Sequence, residues 1–369
     1  MNDDVYMQLA LNVARSVSGQ TNPNPPVGAV VVKHGTILGF GAHLKAGKSH
    51  AEVHALAMAG SEAEGATMYV TLEPCSHHGA TPPCADLMIE KGISRAVIAV
   101  KDPNAKVAGS GVAKLEAAGI TVDLGVMAAE AKAVNKYFNH YIRMKMPFVT
   151  IKAAASLDGK TAAHTGDSKW VTGEPARRDV HQYRHRHDAI LTGVNTVIAD
   201  DPSLTTRLPD GGRNPLRIIL DHSLRTPMDA RVINDAQAET WIFTERTITD
   251  EQLDSFKEKR HVHIIPLDTL DIRTVLQYLG EQKVMSLLVE GGAAVNGSFL
   301  ESGHINQYVQ YIAPKLIGGK DAPSVIAGGG FDSMAETLSL SILKADMIGE
   351  DIKIIAEPRK DDTHVHRHY

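Results

Sequence analysis

HAE at residues 50–52 and EPCSHHGATPPC at residues 73–84 are the two segments that carry the metal-binding residue types of this chain. They contain His50 and both cysteines of the 369 residues, Cys75 and Cys84. A catalytic zinc ion takes three protein ligands and keeps a fourth position open for water. The imidazole and the two thiols are such a set, so the two segments together predict a zinc site.

Glu52 lies two residues after His50, at the start of a predicted helix over residues 51–59. From that position a carboxylate can reach the open side of a zinc site as a proton shuttle without being a ligand. We therefore predict that Glu52 is the general acid and base of a hydrolytic reaction. His54 lies one helical turn further along, and we interpret it as structural because the two thiolates already complete the ligand set.

The two cysteines also allow a simpler interpretation, since a free cysteine is most often a small buried hydrophobic residue. Their sequence context favours metal binding instead. Cys75 follows a predicted apolar strand over residues 66–72 and a proline, and Cys84 follows two prolines and opens a predicted helix that Gly92 ends. Both thiols are thus predicted at or near helix N-termini, where the helix dipole favours the thiolate that zinc requires.

The His-x-Glu and Pro-Cys motifs resemble those of the zinc-dependent nucleoside and nucleobase deaminases. In those enzymes two residues separate the cysteines, whereas eight residues lie between Cys75 and Cys84 here. The longer form is similar to the bifunctional pyrimidine deaminase/reductase family of riboflavin biosynthesis, and the resemblance extends from Asn22 to about Ile355. It implies an α/β protein, with an N-terminal three-layer α/β/α cytidine-deaminase-like domain followed by a dihydrofolate-reductase-like α/β domain.

Composition limits the classes of protein to which the chain can belong. A hydrophobic content of 43% and a charged content of 22% are typical of a globular protein, and 369 residues favour two domains. The net charge of −5 disfavours nucleic acid as a partner. Two cysteines provide no disulfide framework, which favours the cytoplasm. We expect no signal peptide at the acidic N-terminus and no membrane span, because no apolar run reaches about 18 residues.

Alternating strand and helix patterns divide the chain into two domains. Residues 1–146 are predicted as the deaminase domain, residues 147–358 as the reductase domain and residues 359–369 as a polar, disordered tail to which we assign no function. In the first domain we predict helices at residues 3–18, 51–59, 84–90, 111–118 and 127–144, with Asp3 or Asp4 capping the first. The predicted strands are residues 27–32, 36–42, 66–72, 93–100 and 120–124.

Several polar residues lie at predicted strand ends, where α/β proteins place their sites. Asn22 and Asn24 in the proline-rich turn can be turn formers or substrate contacts, and the resemblance favours Asn24 as a substrate ligand. His43 is either an ordinary loop histidine or a substrate contact. Asp102 and Asn104 are explained by a simple turn, but the resemblance makes both of them substrate-binding residues.

The second domain is predicted to contain buried strands and a late glycine-rich turn. The predicted strands are residues 148–154, 189–193, 217–221, 240–244, 261–266, 284–290 and 307–313. No Gly-x-Gly-x-x-Gly follows the first strand, so a Rossmann nucleotide site is not supported. Glycines in the turn at residues 289–298 would let a pyrophosphate approach the amides at a helix N-terminus, although two glycines often serve only the turn.

Charged residues of the second domain allow two interpretations. Lys152 lies in a predicted buried strand and requires a partner or a function there. The helix that ends near His187 carries a basic run, which is most often a solvated face but can also bind phosphate through bidentate arginine contacts. The arginines of this run are Arg177, Arg178, Arg184 and Arg186.

The family resemblance, and not residue spacing, implies the remaining roles in the second domain. NADPH would be the hydride donor, with Lys152, Asp200 and Glu290 as the charged groups around the reacting carbon. Which of the three donates the proton is open. The cofactor contacts would be Ala154, Trp170, Thr196, Asp200, Ser223, Gly292, Ala293, Ala294, Val295, Asn296, Gly297 and Ser298. The substrate contacts would be Ser168, Arg184, Leu204, Arg207 and Glu290.

The resulting hypothesis is a bifunctional riboflavin-pathway enzyme that acts on phosphorylated pyrimidines. Zinc-dependent hydrolytic deamination of a phosphoribosylamino-diaminopyrimidinone would be followed by NADPH-dependent reduction of its ribosyl group to ribityl. The resembled motif commonly has a basic residue where Ala80 stands, and Lys48 is a nearby residue that can replace the lost contact. The oligomeric state, a homo-oligomer included, is left open.

Two other classes of protein compete with this hypothesis. A nucleoside or RNA-base deaminase with a non-catalytic accessory domain would require a basic, aromatic-lined channel, which the charge of −5 and the 5% aromatic content disfavour. A zinc-stapled binding protein would require a closed site with four ligands, and only three good ligands are present.

Overall fold

The computed structural model describes residues 2–77, 82–104 and 107–359. Ala80 and the polar tail from residue 360 onward therefore lie outside the described residues. The chain divides into two compact units, Met1–Lys145 and Met146–Tyr369. Within the described ranges no helix combines the length and the apolar character that a membrane crossing requires.

The first unit is built from strands and helices that follow one another along the chain. In order, these are α1 (Asp3–Ser16), β1 (Gly28–Lys33), β2 (Thr36–Ala42), α2 (Ala51–Ala59), β3 (Thr67–Val70), α3 (Cys84–Glu90), β4 (Arg95–Ile98), α4 (Ser110–Ala117), β5 (Thr121–Leu124), α5 (Ala128–Val134) and α6 (Lys136–Met144). A short 3-10 turn, Gly60–Ala63, follows α2.

One five-stranded sheet in the order β2-β1-β3-β4-β5 forms the middle of this unit. β1 is antiparallel to both β2 and β3, whereas β3, β4 and β5 are parallel. Side chains of β1 alternate between the faces: Val31 packs with α2, α3 and α4, and Val30 packs with α1 and α5. Helices thus cover both faces, and the predicted three-layer α/β/α fold is confirmed.

Two predictions about helix ends in the first unit are wrong. α1 is capped by Asn2, whose side chain accepts a hydrogen bond from the backbone amide of Asp4. Asp3 instead pairs with Arg95 of β4, a long-range contact that local sequence does not reveal. The single helix predicted over residues 127–144 is interrupted at Asn135 (φ −96°, ψ 18°), a residue type that competes with helical hydrogen bonding.

The second unit contains more elements, again mainly strands joined by helices. In order, these are β6 (Phe148–Ser156), α7 (Glu174–Arg186), β7 (Ala189–Gly193), α8 (Val194–Asp200), β8 (Leu216–Leu220), α9 (Arg231–Asn234), β9 (Thr240–Glu245), α10 (Asp250–Asp254), β10 (Val262–Leu267), α11 (Ile272–Glu281), β11 (Ser286–Val289), α12 (Ala293–Glu301), β12 (Gln307–Ala313), β13 (Leu340–Ile348) and β14 (Asp351–Pro358).

A nine-stranded sheet in the order β10-β9-β8-β7-β11-β6-β12-β14-β13 forms the second unit. The strands from β10 to β12 are parallel, and β14 and β13 continue the sheet in antiparallel fashion. Leu287 of β11 packs towards α11 and α12, while its neighbour Leu288 packs towards α8 and α9. The carboxyl ends of β6, β7 and β11 therefore meet at one edge of a sheet that is covered on both faces.

The β13–β14 hairpin is absent from the predicted strands. β13 exposes almost its whole length, including the large apolar side chains of Ile342, Leu343 and Met347. A strand of this kind lacks the alternation of buried and exposed positions on which sequence-based detection depends. The hairpin turns at Gly349, whose φ of 63° suits a residue without a Cβ atom.

Candidate active sites

The three predicted metal ligands converge in the first unit. His50 directly precedes α2, Cys75 lies in the segment after β3, and Cys84 is the first residue of α3. Their ligand atoms all lie within 4.8 Å of one another, and His50 Nδ1 is 3.6 Å from Cys75 Sγ and 3.3 Å from Cys84 Sγ. Zinc bond lengths of about 2.3 Å to sulfur and about 2.0 Å to nitrogen give a tetrahedral S···N separation of about 3.5 Å. The donor set and its spacing fit a zinc-sized ion.

Both sulfurs lie at the N-terminus of α3, but they reach it differently. Cys84 is there by its position in the chain. The prediction that Cys75 begins a helix is wrong, since it lies in an irregular segment; its Sγ instead accepts the backbone N–H of Cys84 at 3.2 Å. The backbone N–H of Ala85 donates to the carbonyl oxygen of Cys75 at 3.1 Å, which ties the two segments together. A helix N-terminus stabilises negative charge on both sulfurs.

The two thiols influence each other's ionisation. The hydrogen bond from Cys84, together with that from His50, lowers the pKa of Cys75 to about 4. The hydrogen bond to Cys75 and burial strongly raise the pKa of Cys84. Without a cation the pair therefore carries one negative charge, and a metal ion between the sulfurs is what allows the second thiol to ionise.

Glu52 occupies the first turn of α2 and is almost completely buried. Burial raises the pKa of its carboxyl group to about 7, despite the opposing influence of its backbone hydrogen bond and of His50. A carboxyl group with such a pKa can both accept and release a proton near neutral pH. The geometry therefore suits the predicted proton shuttle.

A cavity of about 400 Å³ opens beside these groups. Its lining includes His50, Glu52 and Cys75 together with three of the four predicted substrate-binding residues of this unit. Those three are Asn24, His43 and Asp102. The fourth, Asn104, is not part of the lining; its backbone amide donates to Asp102 Oδ1 at 2.8 Å.

His43 lines the cavity, but both of its ring nitrogens have partners within the protein. Nδ1 lies 3.1 Å from the carbonyl oxygen of Ser49, and Nε2 lies 3.0 Å from the side-chain amide of Asn24. Because burial lowers the pKa of His43, the ring is neutral and Nδ1 carries the proton that Ser49 accepts. His43 thus orients Asn24, and the structure supports an indirect role more than a direct substrate contact.

Three cavity residues were not identified as site residues from the sequence. Lys48 and His77 contribute positive or ionisable groups, and Phe138 of α6 contributes an aromatic surface. Lys48 was noted only as a nearby cation. Phe138 comes from the far end of the unit in sequence, so no local motif could have pointed to it.

Glu290, Arg184 and Lys152 form a buried cluster of charges in the second unit. Glu290 follows β11 and accepts two hydrogen bonds from Arg184 of α7, at 2.7 Å and 3.0 Å. Lys152 Nζ of β6 lies 3.2 Å from Glu290 Oε2. The side chains of Arg184 and Glu290 are only 12% and 9% exposed, so the solvated-face interpretation is wrong for Arg184. Burial would raise the pKa of Glu290, but Arg184 and Lys152 outweigh it and hold that pKa well below its usual range.

The other arginines of α7 have separate surroundings. Arg177 stacks on the ring of Trp170 at 4.6 Å, and Trp170 itself is 63% exposed. Arg178 makes an exposed ion pair with Glu174. Arg186 is exposed. The basic run therefore does not form one phosphate site.

The glycine-rich turn joins β11 to α12 as predicted. A Cβ atom on Gly291 would lie 2.6 Å from Val295 Cγ1, so only glycine fits this tight strand-to-helix connection. A Cβ atom on Gly292, which caps α12, would lie 3.5 Å from Thr196 Oγ1 of α8. The structure thus brings Thr196 beside the start of the predicted cofactor turn, Gly292 to Ser298.

The remaining predicted residues of the second unit are more dispersed. Asp200 is exposed at the end of α8 and, among the described residues, makes no ion pair. Ser223 is also exposed, Ser168 is half-buried, and Leu204 is buried with a φ of 52°. The interaction of its charge with Arg184 and Glu290 places Arg207 near the buried cluster. Ala154 packs on β6 beside the apolar group that includes Tyr311.

Comparison with known proteins agrees with these two sites. Residues 1–100 match the model of the cytidine and deoxycytidylate deaminase zinc-binding region, and residues 147–354 match that of the RibD C-terminal domain. The riboflavin biosynthesis protein RibD of Bacillus amyloliquefaciens is 51% identical over 368 residues, which are 99% of each chain. The chain belongs to the RibD family. The predicted bifunctional deaminase/reductase of riboflavin biosynthesis is thereby confirmed, and a nucleoside or RNA-base deaminase with a non-catalytic accessory domain is not favoured.

Solved structures of the family show the same fold. RibD of Acinetobacter baumannii superposes with a TM-score of 0.87 at 38% identity, covering 97% of this chain and 99% of that chain. A diaminohydroxyphosphoribosylaminopyrimidine deaminase/5-amino-6-(5-phosphoribosylamino)uracil reductase of Thermotoga maritima gives a TM-score of 0.87 at 37% identity, covering 96% and 98%. The predicted fold class of both domains is confirmed by these likenesses.

Proposed function

We propose that the first domain, residues 1–146, deaminates a phosphoribosylamino-diaminopyrimidinone and that the second, residues 147–358, reduces the ribosyl group of the product with NADPH. The observation that carries the first half is the buried Glu52 carboxyl group beside the His50, Cys75 and Cys84 ligand set, at the wall of a 400 Å³ cavity. The printed name of the Thermotoga maritima relative supports the choice of substrate.

In the first domain, the zinc ion held by His50, Cys75 and Cys84 would supply a Lewis acid that lowers the pKa of a water molecule. Glu52 takes a proton from the attacking water and returns protons to the departing amine. One water molecule enters and one ammonia leaves, so the amino-bearing carbon becomes a carbonyl. Asn24 and Asp102 orient the pyrimidine ring through hydrogen bonds from the cavity wall.

In the second domain, bound NADPH would supply the hydride that reduces ribose C1 and opens the sugar to ribityl. The amides at the start of α12 and the close approach allowed by Gly291 suit the cofactor's phosphates. Lys152 and Glu290, which are in contact, are the charged groups best placed to manage the proton. Asp200 is exposed and not paired with them, which disfavours it as the proton donor.

We place the reaction in the cytoplasm and assign it small-molecule partners. Two thiols that serve as metal ligands must be kept reduced, which supports a reducing compartment. The structure leaves Cys75 and Cys84 unbridged.

The two half-reactions can be tested in one preparation. We expect the zinc-loaded protein to release ammonia from the diaminopyrimidinone and then to oxidise NADPH. Removing the metal with a chelator should abolish ammonia release, and added Zn²⁺ should restore it. NADPH oxidation with the already deaminated substrate, followed by absorbance, should be unaffected by the chelator. Ammonia release that persists without metal, or no NADPH oxidation at any substrate concentration, would contradict the proposal.

Lys48 is expected to bind the substrate's phosphate in place of the basic residue that Ala80 replaces. It lines the cavity and, within the described ranges, makes no ion pair that would occupy its ammonium group. Lys48→Ala should raise KM for deamination about tenfold, which corresponds to one lost charge-assisted contact, and leave kcat nearly unchanged.

Lys45 offers a matched control for this substitution. It lies three residues earlier in the same loop, is exposed and does not line the cavity. Lys45→Ala should leave KM at the wild-type value. Equal KM values for the Lys48→Ala and Lys45→Ala variants would show that Lys48 does not contact the substrate.

A further inference from the structure

Glu73 is buried between the metal-binding segment and α4, and all of its acceptor capacity is used within the protein. Oε1 accepts the backbone N–H groups of Gly111 at 2.9 Å and Val112 at 3.3 Å. Oε2 accepts those of Gly109 at 2.9 Å and Asp102 at 3.1 Å. An ionised carboxylate offers about four acceptor sites. Glu73 lines the cavity, yet it has no free site with which to bind a substrate or take a proton.

The first turn of α4 depends on this carboxylate. The residue before the helix, Gly109, has no side chain, and α4 has no side-chain cap from its own segment. The N–H groups at the start of a helix have no partner within the helix and require one from elsewhere. Glu73 provides it from a segment about 36 residues earlier in the chain, and so fixes where α4 begins.

The contact continues along the metal-binding segment. A Cβ atom on Gly111 would lie 2.1 Å from the carbonyl oxygen of Pro74, so the two backbones touch there. Beyond Cys75, the hydroxyl oxygens of Ser76 and Ser110 are 2.7 Å apart. The segment that carries Cys75 is thus attached to the start of α4 on both sides of the metal ligand.

We propose that Glu73 is a positioning residue of the deaminase site, which holds the backbone of Asp102 at a fixed place relative to Cys75. Asp102 lines the cavity, and its backbone N–H is one of the four groups that Glu73 binds. Glu73 would therefore act on substrate orientation through Asp102 without touching the substrate. The inference rests on the proposed deamination.

The test compares Glu73→Gln with Glu116→Gln, an exposed position on the same helix α4. Glutamine keeps the shape of Glu73 but replaces one acceptor oxygen with a donor group. KM for ammonia release should rise about 10- to 100-fold, since a displacement near 1 Å can have an effect of this size. Zinc content and NADPH oxidation of the deaminated substrate should equal those of wild type. A KM like that of Glu116→Gln would overturn the proposal.

A double-mutant cycle separates positioning from a general loss of structure. If Glu73 acts through Asp102, adding Glu73→Gln to Asp102→Asn should raise KM no further, because the two changes remove the same interaction. Effects on KM that multiply independently would show that Glu73 does not work through Asp102.

Amide hydrogen exchange on the wild-type holoenzyme covers the case in which Glu73→Gln does not fold. The N–H groups of Gly109, Gly111 and Val112 should be protected, whereas exchange at the rates of a free peptide would overturn the proposal. This measurement does not involve catalysis. If wild type released no ammonia, the proposed function would fail while the exchange data still tested the contacts of Glu73.

Discussion

Replacing Glu52 with glutamine is expected to slow deamination by about 10³-fold while zinc content stays at the wild-type level. Glutamine has the shape of glutamate but cannot accept a proton from water or return one to ammonia. Glu52 is 3% exposed, so bulk solvent cannot easily replace it as proton shuttle. The measurement is ammonia release under saturating substrate, with metal content determined on the same sample.

Two comparisons isolate the chemical step. Glu62→Gln changes an exposed carboxylate of the same domain and should retain full activity. NADPH oxidation by the Glu52→Gln protein, measured with deaminated substrate, should match wild type because that reaction belongs to the second domain. A Glu52→Gln variant with wild-type ammonia release would exclude Glu52 as the acid and base.

Replacing Glu290 with glutamine is expected to destabilise the second domain by about 3–5 kcal/mol and to abolish NADPH oxidation. Glu290 is the anion that Arg184 and Lys152 share. Without it, two cations that are only 12% and 17% exposed lose their counter-charge. Removing one member of a buried ion pair is much more harmful than having no pair at all.

Tryptophan fluorescence during urea unfolding can measure this effect selectively. Both tryptophans of the chain, Trp170 and Trp241, belong to the second unit. Glu258→Gln, at an exposed position, is the control and should unfold like wild type. Adding Lys152→Met to Glu290→Gln should recover part of the stability, because one unpaired cation is removed. A Glu290→Gln protein as stable as the Glu258→Gln control would disprove this account of the cluster.

The same cluster predicts how stability depends on pH. Because its cationic neighbours hold the pKa of Glu290 below the usual value, ionised Glu290 stabilises the folded state. That stabilisation is complete above the pKa of an unfolded glutamate and is lost as pH falls towards the lower folded-state pKa. Wild type should therefore lose more stability than Glu290→Gln between about pH 5 and pH 2.

The sequence alone was sufficient for the α/β class, the order of most elements and the choice of metal-binding residues. These features depend on short-range patterns: apolar runs bounded by Gly and Pro, and rare residue types at fixed spacing. Helix α2, strand β2 and helix α3 match the predicted ranges, at Ala51–Ala59, Thr36–Ala42 and Cys84–Glu90. The cysteines were informative because the chain has only two.

Residues that act by satisfying another segment could not be found in this way. Glu73 was read as one letter of a motif, and its four backbone partners lie 29 to 39 residues away. Arg184 was read as part of a basic run, although its partner Glu290 is 106 residues away. His43 was read as a substrate contact, although its ring nitrogens bind Ser49 and Asn24.

The sequence determined which side chains are capable of the chemistry, because the ability to bind zinc or carry a proton belongs to the residue type. The tertiary structure decided which of them are free to do it. A carboxylate that accepts four backbone N–H groups and one that faces an open cavity are the same residue type, and Glu73 and Glu52 differ only in what the fold places around them. Burial and hydrogen-bond partners are properties of the packed chain, so local sequence does not contain them.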